Sequence, residues 1–196
     1  RPGPMVVMPH GGPIAVRDTW AWDANAQLLA SRGYTVLQVN YRGSAGYGSE
    51  FLQQGRRQWA TGMIDDIIAG TRWAIEQGYA DPSRICTAGG SYGAYSSLMS
   101  VLREADLFQC VIGYAGVYNL NTLARNSDIR TRDRGKRYFS DFIGESKEEL
   151  AAQSPLTFID QLQVPMLIVH GKDDGRTPYS EAKALRDALE DRGHPY

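Results

Sequence analysis

Gly89-Gly90-Ser91-Tyr92-Gly93 stands directly after the apolar run Arg84-Ile85-Cys86-Thr87-Ala88 and directly before the helix-like stretch from Ala94 to Arg103. A serine set between glycines in this context reads as strand, sharp turn and helix, the setting of a G-x-S-x-G nucleophile elbow. Neighbours without a Cβ let the chain reverse on itself and lift the hydroxyl clear of the sheet. The pentapeptide alone recurs by chance, so its weight depends on what surrounds it.

Outward from the elbow, short apolar runs alternate with longer amphipathic patterns, as in a parallel α/β sheet. Strands are expected at Met5–Met8, Thr35–Val39, Arg84–Ala88, Cys110–Tyr114 and Met166–Val169. They are β-branched and continuous rather than alternating, which suits a sheet with helices on both faces. Ile64, Ile67, Ile68, Thr71 and Ile75 share one face of a helix that stops at Gly78, and Ala182, Leu185 and Leu189 do the same before Gly193. A glycine just past the last periodic residue is the expected stop. Asp23 and Gly33 bracket a further helix containing Leu28 and Leu29. From Tyr118 to Thr157 the pattern is irregular, and short helices and loops over the edge of the sheet are expected.

A chain of 196 residues suffices for one domain with a sizeable core. With 42% hydrophobic and 22% charged residues it has an ordinary globular composition. Its net charge of -1 offers no field to steer nucleic acid or an anionic membrane. The basic residues of the stretch from Arg125 to Arg137 are interleaved with aspartates, so it reads as a solvated surface segment rather than a polyanion site. No apolar run approaches the ~20 residues of a membrane span, and no signal peptide is visible. The compartment does not follow from the sequence. Cys86 and Cys110 fall inside expected strands and read as buried free thiols rather than a disulfide or metal ligands.

Two further segments carry chemistry. His10-Gly11-Gly12-Pro13 follows the first strand. Acyl transfer builds negative charge on the carbonyl oxygen, and backbone N–H groups aimed at it stabilise that charge. In α/β-hydrolases one donor comes from this loop and the other from the residue after the nucleophile. That assigns the N–H of Gly12, with Gly11 second, and the N–H of Tyr92. The segment from His170 to Pro178 follows the strand Met166–Val169 and offers Asp173 and Asp174. An acid after a later strand is where a hydrolase keeps the group that orients its histidine. The parts come in the order strand, glycine loop, strand, strand with elbow, strand, strand with acid.

These residues, with Asn40-Tyr41-Arg42-Gly43-Ser44-Ala45-Gly46-Tyr47-Gly48, Ala94-Tyr95 and Ser154-Pro155, resemble the catalytic domain of the prolyl oligopeptidase family of serine peptidases, in its acylaminoacyl-peptidase-like branch. The family pattern His-Gly-x-x-Asp-x-x-Val-Pro implies Asp174 as the acid, with Thr177 in the valine position. The resemblance implies an α/β-hydrolase fold and an acyl-enzyme on Ser91 formed from short or acyl-aminoacyl peptides. It implies no metal or organic cofactor, and a β-propeller domain upstream in a parent chain. Tyr92 and His10 depart from the true prolyl oligopeptidases, so proline specificity is not carried over.

A serine hydroxyl needs a base, and the chain has three histidines. His10 and His170 sit on the loops just described and are expected to brace them. His194 follows a helix of roughly 20 Å that returns to the opposite edge of the sheet. One more strand would have to come back before a histidine could meet Ser91, and the resemblance agrees. The chain opens at Arg1 without a methionine and stops at Tyr196. It is therefore expected to be a catalytic domain truncated at both ends, hydrolysing little by itself. The rival readings are a carboxylesterase or lipase with the same machinery and a non-catalytic hydrolase-fold binding module. A nucleotide-binding sheet lacks its Gly-Lys-Ser/Thr or G-x-G-x-x-G signature.

Overall fold

A computed structural model describes residues 2–131 and 133–196. The readings placed on Arg1 and on Arg132 lie outside the described residues. Strands β1 (Gly3–Val7), β2 (Thr35–Leu37), β3 (Ala80–Gly90), β4 (Cys110–Tyr114) and β5 (Met166–Val169) form one sheet in the order β2-β1-β3-β4-β5. Every pairing between them is parallel. Between and after the strands run α1 (Ala24–Ala30), α2 (Gly48–Gln53), α3 (Gly62–Glu76), α4 (Tyr92–Arg103), α5 (Leu120–Asn126), α6 (Asp133–Phe142), α7 (Lys147–Ala152) and α8 (Ser180–Asp191). Two 3-10 turns, Asp128–Thr131 and Pro155–Gln161, complete the irregular region before β5.

The expected strands and helices all form, β4 and β5 with the expected bounds and the others with altered ends. β3 extends back to Ala80, which pairs with Gly3, and β2 stops at Leu37. The short helix α2 has no apolar periodicity and was not expected. α3 buries Ile64, Ile67, Ile68 and Thr71, and α8 buries Ala182, Leu185 and Leu189. Both end on glycines with positive φ, 74° at Gly78 and 61° at Gly193, where a side chain would be strained.

The direction of travel across the sheet reverses after β2. Right-handed crossovers then put α1 on one face and α3, α4 and the α5–α7 segment on the other. The α4 face is the dense one, with every residue of that helix from Tyr92 to Leu102 buried. The α1 face is thinly covered. Tyr114 remains 60% exposed and Leu167 52%, and a hollow of about 730 Å³ opens between Leu28, Ala88, Ile112, Tyr114 and Val169. No described helix is long and apolar enough to cross a membrane.

The cysteines correct one expectation. Cys86 and Cys110 are joined by a disulfide with a Cα–Cα distance of 4.8 Å, and both are half-buried on the α1 face. Each lies in an expected strand, but their pairing follows from the register, in which Cys86 stands directly opposite Cys110. Register between parallel strands is a long-range property that local pattern does not carry.

Candidate active site

The loops after β1 and β3 leave the sheet at the point where strand order reverses, which opens a crevice at the carboxyl ends of the strands. Gly90 is in register with Tyr114, and Tyr114 with Val169. The elbow after β3 and the loop after β5 therefore start from the same rim. This is the spatial arrangement that the order of motifs predicts.

Ser91 has φ 55° and ψ −121°, a backbone region that non-glycine residues enter only when their surroundings hold them there. Three hydrogen bonds do so. Ser91 N–H donates to Tyr114 O at 2.9 Å, and the N–H groups of Ala94 and Tyr95 donate to Ser91 O at 3.1 and 3.2 Å. The glycines make room for the turn. A Cβ on Gly89 would land on the backbone of Gly93, and one on Gly93 would land on the Pro9 carbonyl. Gly93→Ala should therefore destabilise the fold by about 1–3 kcal/mol, a fall of roughly 3–10 °C in Tm. An unchanged melting curve would contradict this account of the elbow.

Below the elbow, Tyr92 is buried with its hydroxyl donating to Trp59 O at 2.8 Å. Its ring packs among Tyr41, Trp59 and Tyr95 at centroid distances of 4.7–5.6 Å. Burial raises the Tyr92 phenol well above its ordinary value, so this ring is a neutral strut. Its backbone N–H begins α4, at the positive end of the helix dipole.

Across the crevice, a Cβ on Gly11 would come within 3.5 Å of Ser91 Cβ and 3.2 Å of Gly90 O. Gly12 and Ser91 line one cavity. His10 braces this loop from behind. Its Nε2 lies 2.9 Å from Ser44 Oγ and its Nδ1 3.0 Å from the Tyr41 hydroxyl, which also donates to His10 O at 2.6 Å. The two rings stack at 4.3 Å. Burial lowers the His10 pKa, with Gly11 O and Asp18 opposing.

On the third loop, Asp173 is exposed, whereas Asp174 is half-buried and clamped. Asp174 Oδ1 accepts from the N–H groups of Arg176 and Thr177, and Oδ2 from the Thr177 hydroxyl, all at 2.9 Å. Burial alone would raise this carboxyl. The Thr177 and Arg176 donors outweigh it and hold the carboxyl below its ordinary value. Asp174 is thus an ionised, oriented acceptor on the rim that carries Ser91.

The histidines are all otherwise engaged. His170 Nε2 donates to Thr177 O at 2.7 Å, bracing the acid loop. His194 Nε2 donates to Val164 O at 2.8 Å, ahead of the first residue of β5 and at the far rim. Among the described residues no hydrogen bond joins any histidine to Ser91 or Asp174.

The Ser91 cavity measures about 480 Å³. Trp59, Val117, Leu123 and Ile143 form its buried apolar wall, and Ile129 and Tyr138 close it from the segment between α5 and α7. Asp128, Arg134 and Arg176 stand at its mouth, with Arg176 paired to Asp128 at 3.1 Å. Reading Arg125–Arg137 as a plain surface segment therefore missed part of the site. The charges of Arg125, Asp128, Asp133, Arg134, Lys136 and Arg137 do face solvent, but Ile129 and Gly135 turn inward. The lone apolar Ile129 amid charged residues was the available signal.

The profile of the prolyl oligopeptidase family matches residues 20–196. Dipeptidyl aminopeptidase BIII of Pseudoxanthomonas mexicana is 36% identical over 99% of this chain and 29% of its own length. The acylamino-acid-releasing enzyme of Mus musculus is 29% identical over 98% of this chain and 27% of its own length. A puromycin-hydrolyzing peptidase of Mycobacterium tuberculosis superposes with a TM-score of 0.92 at 31% identity, covering all of this chain and 29% of that one. The chain thus spans under a third of the length of these relatives.

Proposed function

The chain belongs to the prolyl oligopeptidase family, and from that premise we propose that it carries the nucleophile, oxyanion donors and acid of a serine peptidase acting on short or acyl-aminoacyl peptides. Ser91 Oγ attacks the scissile carbonyl and forms an acyl-enzyme, which water then cleaves. The N–H groups of Gly12 and Tyr92 hold the developing oxyanion. Asp174 orients a histidine supplied from outside these 196 residues, since all three present are committed elsewhere. In the parent protein a β-propeller domain restricts entry to short peptides. The observation that carries the reading is the Ser91 turn itself, a positive-φ serine facing a glycine loop and opening into an apolar cavity.

Fluorophosphonate labelling of the full-length protein, lost in Ser91→Ala, tests the nucleophile. Paired p-nitrophenyl ester and aminoacyl-anilide substrates test the class. The anilide should be cut; turnover of the ester alone would make the protein a carboxylesterase, and neither labelling nor turnover a binding module. The apolar wall sets the preference on the acyl side of the cleaved bond. Leucyl or phenylalanyl anilides should exceed aspartyl anilides by about tenfold or more in kcat/KM, because a carboxylate would be desolvated there without a partner. Equal rates would remove the cavity from substrate selection.

A further inference from the structure

Glu181, in the first turn of α8, is fully buried. Its Oε2 accepts from Tyr118 N–H at 2.8 Å and Asn119 N–H at 2.7 Å, while its Oε1 is buried with no hydrogen-bond partner among the described residues. No Lys, Arg or His bonds to it among the described residues. The ionisable group facing it from the β4–α5 connection is the Tyr118 hydroxyl, also buried and unbonded. Burial pushes the Glu181 carboxyl up to about 7, against the N–H groups of Tyr118, Asn119 and Leu123. A carboxylate in such surroundings is costly, and packing alone does not call for one.

Its position in the chain supplies a reason. Glu181 lies three residues past Pro178, to whose carbonyl its own N–H donates at 2.8 Å, so its backbone is continuous with the Asp174 loop. The N–H groups it receives directly follow Val117, and Leu123 lies one helical turn further on. Val117 and Leu123 are both wall residues of the Ser91 cavity. The same wall is tied to the acid loop a second time, through Asp128 N–H to Gly175 O at 3.1 Å and Ser127 Oγ to Arg176 O at 2.6 Å.

We propose that Glu181 is a positioning residue that locks the Val117–Leu123 wall of the Ser91 cavity to the helix leaving the Asp174 loop. The inference rests on the peptidase reading of Ser91. Removing the carboxylate frees the Tyr118 and Asn119 backbone donors, and the wall shifts relative to the nucleophile. A displacement on the ångström scale changes reactivity by about tenfold to a hundredfold.

The test uses the full-length protein, with leucyl and alanyl anilides and active sites counted by fluorophosphonate titration. Glu181→Ala should lower kcat/KM for the leucyl substrate by about tenfold per titrated site and change that for the alanyl substrate, which scarcely touches the wall, by less than about threefold. Glu181→Gln retains an acceptor oxygen for the Tyr118 and Asn119 N–H groups and should recover most of the loss. If Glu181→Ala does not fold, the Gln variant is compared with Glu181→Leu. A fall in the titrated fraction with both per-site kcat/KM values unchanged would make Glu181 merely structural and overturn the proposal. Equal losses on both substrates would also overturn it. Wild-type protein that neither labels nor turns over would instead bring down the peptidase reading, and this inference with it.

Discussion

Ser91→Ala is expected to lower kcat of the full-length protein by about 10⁵–10⁶-fold while leaving substrate affinity within about threefold. Deleting Oγ removes the atom that forms the acyl bond, and no neighbouring group replaces it. The next serine hydroxyls along α4, Ser96 and Ser97, are fully buried and bonded to Gly93 O and Thr87 Oγ1. The fold should tolerate the change, since the bonds that fix the elbow come from the Ser91 backbone and the Ser91 hydroxyl has no hydrogen-bond partner among the described residues. Burst and steady-state kinetics on one anilide, with circular dichroism as the control for folding, provide the measurement. A residual rate above about one percent of wild type would mean that the acyl group is carried elsewhere.

Asp174→Asn should lower kcat by about 10³–10⁴-fold with KM little changed. The amide keeps an oxygen for the Arg176 and Thr177 N–H groups, and its new donor can meet the Thr177 hydroxyl, so the loop retains its shape. What disappears is the negative charge that holds an imidazole in its tautomer and stabilises the imidazolium formed during attack. Asp173→Asn is the internal control. That side chain is exposed, and its loss should leave kcat within about twofold. A reversal of the two results would exchange the roles of the adjacent aspartates.

The rim that brings Ser91, the glycine loop and Asp174 together was legible in the sequence because its parts are local. Gly89 to Gly93 encode their own turn, and His10 to Pro13 and His170 to Pro178 each follow a strand whose apolar run announces it. Residue type does not distinguish Asp173 from Asp174. The Arg176 and Thr177 donors, two and three residues on, reach Asp174, the carboxylate to which the family pattern points. The cysteine pairing and the cavity wall were hidden for a common reason. Cys86 meets Cys110 through strand register, and Trp59, from the β2–β3 connection, meets Val117, Leu123, Ile129 and Ile143 from the β4–β5 connection. None of these contacts leaves a periodic trace. Glu181 was also illegible, because in a helix pattern it reads as one more solvent-facing acid beside Ala182.

The double tether between the acid loop and the segment that begins at Ser127 limits how this pocket can be redesigned. Transplanting residues 128–142 from a homologue to change substrate range would be straightforward if that insertion were an independent cassette. Here the Asp128 N–H and the adjoining Ser127 hydroxyl bond to the carbonyls of Gly175 and Arg176, in the loop that holds Asp174, so a graft that disturbs them would change the pocket and the setting of that carboxylate at once. Exchanges confined to Ile129, Gly135 and Tyr138, with Ser127 and the Asp128 backbone left in place, separate the two properties.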